Sequence, residues 1–534
     1  MKAILYGIWL AAGLVGWGGA LWAQEVATAP LRPAPLFGSN MVLQRDAPVP
    51  VWGWAAPGAA VQVTFAGATV TAAADAAGRW QVALPPLPAS IEPRALRLHI
   101  PNGTEVVYTN VLVGDVWLCS GQSNMRGIMR YNAGDPAELA EAAAADFGLR
   151  LLQVPDASDY RPTTGFARPA GWLLASAPTV VRLSAVAYYT GRALPRELDV
   201  PIGLVWAAVG NTAIQSWMPR AALEADPASQ AALEKFEQDL DTLPRAREEY
   251  ARLAAQWRAD YSQRRREGPA AEAARARLNT PVTDRRPSVL FNGMIAPLTP
   301  AALRGVCWYQ GESNAGDAEH YAARLTLLIR HWRAAFAQET LPFAIVQLPG
   351  YRPMQERPYD STWATLREAQ ARVARELPNV TLACTLDVGK QDKIHPPDKR
   401  PFGARLAAAI LAAFCDQPDI PWQGPTLTGL TRHADAYELE YETGGGSLTT
   451  PDGSDAPVRG FAIAGADRRF VPADARIIGP NRIRVHAAAV AEPAALRYGW
   501  ADFPDVNLYN EVGWPAWPWR TDDWPQTNFP PRAP

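Results

Sequence analysis

Between residues 41 and 110 apolar and polar positions alternate in short runs. The segment VPVWGWAAPGAAVQVTFAGATVTAAADAAGRWQVALPPL breaks its alternation at Pro-Gly, Ala-Gly and Ala-Gly-Arg, each a turn signal. ALRLHI and VVYTNVLVG continue the pattern, which predicts a small β-sandwich over 30–112. From Asp115 the pattern changes. Continuous apolar runs alternate with helical ones: DVWLCS, PIGLVWAAVG, LRGVCWYQ, PFAIVQLPG and VTLACTLDVG, with helices in EHYAARLTLLIRHWRAAF, WATLREAQARVAREL and FGARLAAAILAAF. Strands that are apolar throughout, separated by helices, indicate a parallel sheet covered on both faces.

The stretch 221–286 interrupts this with ALEKFEQDLDTL and REEYARLAAQWRADYSQRRR, and reads as a helical insertion with a solvated charged face. The α/β pattern therefore falls into two parts, 113–220 and 287–420. After Pro421 short strands return in YELEYET, VRGFAIAG, NRIRVHA and ALRYGW, predicting a C-terminal β domain over 421–534. The first residues, MKAILYGIWLAAGLVGWGGALWAQ, place Lys2 before an apolar run that ends in small residues. This is the pattern of a signal peptide over 1–23, and the chain is expected to be exported to the periplasm or the medium. The same run is long enough to serve as an uncleaved anchor, and no other segment has the length to span a bilayer.

At 534 residues the chain exceeds a single core. Hydrophobic residues make up 48%, charged residues 19%, and the formal net charge is −2, so nothing favours nucleic acid or an anionic membrane as partner. Its twenty Trp suit either sugar stacking or the cores of β domains. Four widely spaced cysteines, Cys119, Cys307, Cys384 and Cys415, form no zinc pattern and no disulfide framework. Cys119 and Cys307 sit inside apolar runs and read as buried thiols. The six His pair with no other His or Cys at ligand spacing, so no metal and no cofactor is expected.

Ligands of open parallel sheets bind beyond the carboxyl ends of the strands. The expected strands are followed there by Gly121-Gln122-Ser123-Asn124, Gly210-Asn211-Thr212, Gln310-Gly311-Glu312-Ser313-Asn314 and Asp392-Lys393-Ile394-His395. A hydroxyl, donor-rich turns, an amide and an Asp/His pair on one rim are the parts of an acyl-transfer site. Each has a plainer reading. Ser123 in this turn could be a helix N-cap. Asp392 and His395 could be a loop salt bridge, and Gly210 a packing residue. The stretch is not the G-x-S-x-G elbow, because Met125 stands where the second Gly would be.

The segments NMVLQRDAPVPVWGWAAPG, GDVWLCSGQSNM, SAVAYYTGRAL, FNGMIAPL, RGVCWYQGESNA, KIHPPDK and ALRYGWAD resemble the sialate O-acetylesterase family and related carbohydrate acetylesterases, from about Leu36 to Asp522. The resemblance implies a flavodoxin-like three-layer α/β/α SGNH-hydrolase fold with accessory β-sandwich domains. It also implies removal of O-acetyl groups from sugars by a Ser-His-Asp triad without a metal. Residue by residue, it puts the nucleophile on Ser123, the base on His395 and its orienter on Asp392. The oxyanion donors fall on the Ser123 and Gly210 backbones and on Gln310, with Asn211 and Asn314 as rivals. Trp217 and Tyr309 flank the motifs as candidate pocket walls, beside Trp308, for which strand packing is the plainer role. Arg126 stands where relatives often carry an acidic residue, so it is a candidate for binding a sugar carboxylate; the plainer reading is a structurally paired arginine.

The partner implied is an O-acetylated sugar or glycan. Alternatives from the same residues are an acetylesterase of plant cell-wall polysaccharide, such as acetyl-xylan or acetyl-xyloglucan, and a non-catalytic carbohydrate-binding protein.

Overall fold

The strand Glu105–Gly121, here β1, carries both halves of the fold. Its first residues, EVVYTN, alternate between exposed and half-buried. From Val111 to Gly121 every residue is buried. The alternating half is the pattern of a sheet with one wet face, and the buried half that of a strand covered on both sides. Glu105–Val113 pairs antiparallel with Ser90–His99, and Leu112–Gly114, already in the buried half, pairs parallel with Val42–Gln44. The second half is the centre of a parallel sheet. The expected boundary near residue 112 thus falls inside one continuous strand. The computed structural model describes residues 30–132 apart from Asn102, 148–245 apart from 239, 248, 252 and 285–526.

The other strands of the central sheet are β2 (Leu149–Gln153), β3 (Leu173–Leu174), β4 (Ile202–Ala208), β5 (Gly305–Tyr309), β6 (Phe343–Val346) and β7 (Val380–Ala383). Their spatial order is β3-β2-β4-β1-β5-β6-β7. All are parallel except β3, which pairs antiparallel with β2. The chain builds the β2/β4 side of β1 first and then crosses to the β5 side. Strand order reverses at β1, where crevices open in such sheets. The register leaves Ala208 of β4, Gly121 of β1 and Tyr309 of β5 side by side at the carboxyl ends.

Three of the four long helices that follow these strands were legible as helical runs; Ala185–Leu198 was not read as one. Ala185–Leu198 (α2) packs on Arg400–Phe414 (α5), and Tyr321–Ala335 (α3) on Thr362–Glu376 (α4); α4 and α5 both reach β7. The structure is mixed α/β with several sheets. At its N-terminal end Val49–Trp54 pairs with Arg79–Leu84, and Ala60–Phe65 with Ala68–Ala73. Their side chains, among them Val51, Val63 and Trp80, form one core with those of the parallel sheet, whereas the strands from Ala436 onward gather a second core around Leu439, Ile463, Val485 and Tyr498.

Residues 1–29, where the signal peptide is expected, lie outside the described residues, as does most of 246–284 from the expected insertion. The start of the insertion is helical at Arg220–Glu224. Among the described residues no helix is long and apolar enough to cross a membrane.

Candidate active site

Gly121 ends β1 with φ +137°, and an added Cβ would stand 2.0 Å from the Tyr309 carbonyl oxygen. Only glycine fits there. The chain then turns into the short helix α1, Ser123–Arg126, capped by Gln122. The Gln122 N–H donates to the Tyr309 carbonyl at 3.0 Å. The Gln122 side-chain oxygen accepts from Gln310 Nε2 and from the N–H groups of Gly311 and Ser313 at 3.1–3.3 Å. Ser123 is therefore the first helical residue beyond the central strand, on a turn fixed by the neighbouring one.

Gly210 lies against it. A side chain built on Gly210 would begin 3.6 Å from the Ser123 Cβ, so the glycine keeps the space beside the hydroxyl open. The Gly210 turn is held by Thr212, whose hydroxyl donates to the Val209 carbonyl at 2.8 Å. No described acceptor takes the backbone N–H of Ser123 or Gly210. Asn211 is exposed, with φ +59°.

Three expected site residues are placed elsewhere than the rim. Gln310 is fully buried, and its Nε2 donates to Gln122 Oε1, the Thr212 carbonyl and Asn314 Oδ1 at 2.8–3.1 Å. An amide with its protons committed in this way has none for an oxyanion; it ties the three strand-end turns together. The rival Asn314 is committed as well, to Gln215, Ile214 and Gln310. Trp217 is buried and donates to the Thr212 hydroxyl at 3.0 Å, supporting the Gly210 turn from below. Tyr309 is buried and stacked on Phe402. Neither can wall a pocket open to substrate.

Arg126 is half-exposed, but its guanidinium is engaged. Nη2 pairs with Asp156 at 2.7 Å and Nη1 donates to the Ala208 carbonyl at 3.0 Å. This is the structurally paired arginine of the plainer reading.

His395 and Asp392 sit in the loop before α5, both exposed. Asn124, next to Ser123, donates to the carbonyl of Ile394 at 3.0 Å, which tethers the His395 loop to the nucleophile turn. Among the described residues nothing hydrogen-bonds the Ser123 hydroxyl, and no hydrogen bond or ion pair joins Asp392 to His395. Partial burial, with the Lys399 ammonium beside it, pushes His395 below its usual 6.5. The upward shift expected of an Asp-paired histidine is absent for that reason.

Reading residue types for acyl transfer overlooked Asn124, Glu312 and Lys399. All three lie within the motifs already singled out. Asn124 Nδ2 also donates to Glu312 Oε1 at 2.5 Å, and Asn124 Oδ1 accepts from Lys399 Nζ. One ligand-like group occurs among the described residues: Asp317, Glu319 and His320, with ligand atoms within 4.8 Å of one another. Asp317 already pairs with His320 and with Arg324 there.

Polar turns gathered at the reversal of strand order mark the place of a candidate site, and the proteins this chain resembles give its class as carbohydrate esterase. Residues 283–412 match the model of the family described as carbohydrate esterase, sialic acid-specific acetylesterase. The sialate O-acetylesterase of Mus musculus is 30% identical over 425 residues, 74% of this chain and 75% of its own length. That of Homo sapiens is 29% identical over 441 residues, 76% of this chain and 75% of its own length. The crystal structure of a carbohydrate acetylesterase from Xanthomonas citri superposes with TM-score 0.77 at 34% identity, covering 92% of this chain and 100% of that one. The chain belongs to the sialate O-acetylesterase family and is a carbohydrate acetylesterase.

Proposed function

We propose that the protein is a serine esterase that removes O-acetyl groups from sugars, sialates first, and that its parallel-sheet part is a three-layer SGNH-type hydrolase flanked by β-sandwich domains. Ser123 Oγ attacks the acetyl carbonyl carbon as His395 takes the hydroxyl proton. The tetrahedral oxyanion rests on the backbone N–H groups of Ser123 and Gly210, with Asn211 beside them. The C–O bond to the sugar breaks, and His395 returns the proton to the leaving sugar oxygen. Water, deprotonated by His395, then attacks the acetyl-enzyme and releases acetate and Ser123. Asp392, three residues before His395 in the same loop, orients the imidazole once substrate closes the site; such bonds often tighten only in the complex.

The observation that carries this reading is the meeting of three segments. Ser123 leads the turn beyond the central strand, Gly210 lies 3.6 Å from it as measured from a built Cβ, and Asn124 holds the His395 loop. The sugar class follows from the relatives, which are sialate O-acetylesterases and a carbohydrate acetylesterase. Export is proposed from the first 23 residues.

Acetate release from O-acetylated sialic acid, acetyl-xylan, acetyl-xyloglucan and acetyl-mannan tests the reading. The sialate should turn over fastest. Faster turnover of a plant polysaccharide would move the substrate assignment to cell-wall material. Pure, folded protein inert even to p-nitrophenyl acetate would leave only a sugar-binding role.

A further inference from the structure

Directly behind the nucleophile turn lies a cluster that the steps above do not use. Asn124 follows Ser123, and its side chain is a junction of three segments. It donates to Glu312, two residues beyond Gln310, at 2.5 Å and to the Ile394 carbonyl at 3.0 Å, and it accepts from Lys399 Nζ. Lys399 is completely buried and Glu312 nearly so, and among the described residues Glu312 Oε2 has no hydrogen-bond partner. Lys399 Nζ also stands 4.9 Å above the Phe402 ring.

Burying an ammonium is expensive unless charge or dipoles compensate it. Here its hydrogen bond goes to a neutral amide, and the carboxylate of the pair lies on the other side of that amide. The amide is thus polarised from both ends. Its remaining bond holds the backbone one residue before His395.

We propose that Lys399 is a positioning residue for this reaction: through Asn124 it fixes the His395 loop on the turn that carries Ser123, and it sets the charge beside His395. The inference rests on the Ser123–His395 reading and deepens it. The groups facing Lys399 are Glu312 from the segment after β5, Asp398 from its own loop, and His395. Tyr309 and Tyr321 face Glu312 from β5 and α3. Burial lowers Lys399 to about 7, against the opposing pull of Glu312 and Asp398, and its ammonium lies beside His395. There it opposes protonation of the imidazole and keeps it in the form that can accept the Ser123 proton.

The test uses the full chain with Lys399→Met, Lys399→Arg and Asn124→Ala, each first checked for folding by its unfolding midpoint. Lys399→Met should lower kcat by about 10²-fold, the scale of a misplaced catalytic group, with KM little changed. The acid limb of its kcat/KM profile should move to higher pH. Lys399→Arg, which keeps the charge, should recover part of kcat and hold the limb near its wild-type position. Asn124→Ala keeps Lys399 but cuts its link to the loop, and should lose kcat by a similar factor. A fall in kcat for Lys399→Met with an unmoved acid limb marks a packing role and overturns the proposal. Wild-type kcat in folded Lys399→Met or Asn124→Ala does the same. Should Lys399→Met not fold, Asn124→Ala alone decides by the same criterion. Ser123→Ala run alongside separates the two readings: if it is inactive while the Lys399 and Asn124 variants match wild type, only the positioning role fails. If Ser123→Ala is as active as wild type, the serine mechanism fails and the positioning role with it.

Discussion

Gly121 and Tyr309 are cross-strand partners at the carboxyl ends of the central strands, and a Cβ on Gly121 would stand 2.0 Å from the Tyr309 carbonyl oxygen. The same carbonyl accepts the Gln122 N–H at 3.0 Å, so the turn that delivers Ser123 is built on this close approach. Gly121→Ala should therefore cost at least about 3 kcal/mol, from the clash together with a φ unsuited to a side chain. Urea unfolding measures it. A Gly121→Ala protein with wild-type stability and activity would mean that the turn does not need this geometry.

Cys119 and Cys307 are also cross-strand partners, both buried and free. The contact with Cys119, together with burial, pushes the Cys307 thiol well above its ordinary range. Neither should react with iodoacetamide in the native protein, and both should react after denaturation, as read by peptide mass. Cys119→Ala should keep most activity and lose about 1–3 kcal/mol of stability as a small core deletion. Native-state alkylation of Cys119 would revive it as a reactive group.

Arg126 is held by Asp156 and by the Ala208 carbonyl. Arg126→Ala should change KM for acidic and for neutral acetylated sugars by the same factor, because no free guanidinium is lost. A larger rise for the acidic sugar would restore a carboxylate-binding role.

His395 lies below its ordinary 6.5 through burial and Lys399. The acid limb of kcat/KM should accordingly fall below pH 6.5 in the wild type. Stability follows the same sign. The folded state binds this proton less readily than the unfolded chain, so the contribution of His395 is complete above 6.5 and lost as pH falls through its folded value. A limb above 6.5 would indicate that Asp392 closes on His395 in the working enzyme, and Asp392→Asn should then lower the limb.

Five strands of the central sheet, β1, β4, β5, β6 and β7, and the helices α3, α4 and α5 were legible because their sequence patterns are unambiguous, whereas β2, β3 and α2 were not expected. VLVGDVWLCSG is apolar almost throughout, and TWATLREAQARVARE repeats at helical spacing. The boundary at 112 was not, since alternation gives way to continuous burial without a turn inside Glu105–Gly121. At the site, the sequence named the segments but not the side-chain directions. Trp217, Tyr309 and Gln310 are as polar or aromatic as a pocket wall, and only packing shows that they point inward. The junction of Asn124, Glu312 and Lys399 spans 275 residues and leaves no periodic trace. A carboxylate three residues after the fully buried strand Gly305–Tyr309 was its one available sign.

The central claim, that Ser123 is the nucleophile, is tested most directly by reaction with an organophosphonate ester followed by peptide mass mapping, with acetate release measured in parallel. The account predicts one adduct, on Ser123, and loss of both labelling and several orders of magnitude in kcat in a folded Ser123→Ala protein. An adduct on Ser120 or Cys119, or wild-type acetate release by Ser123→Ala, would contradict it.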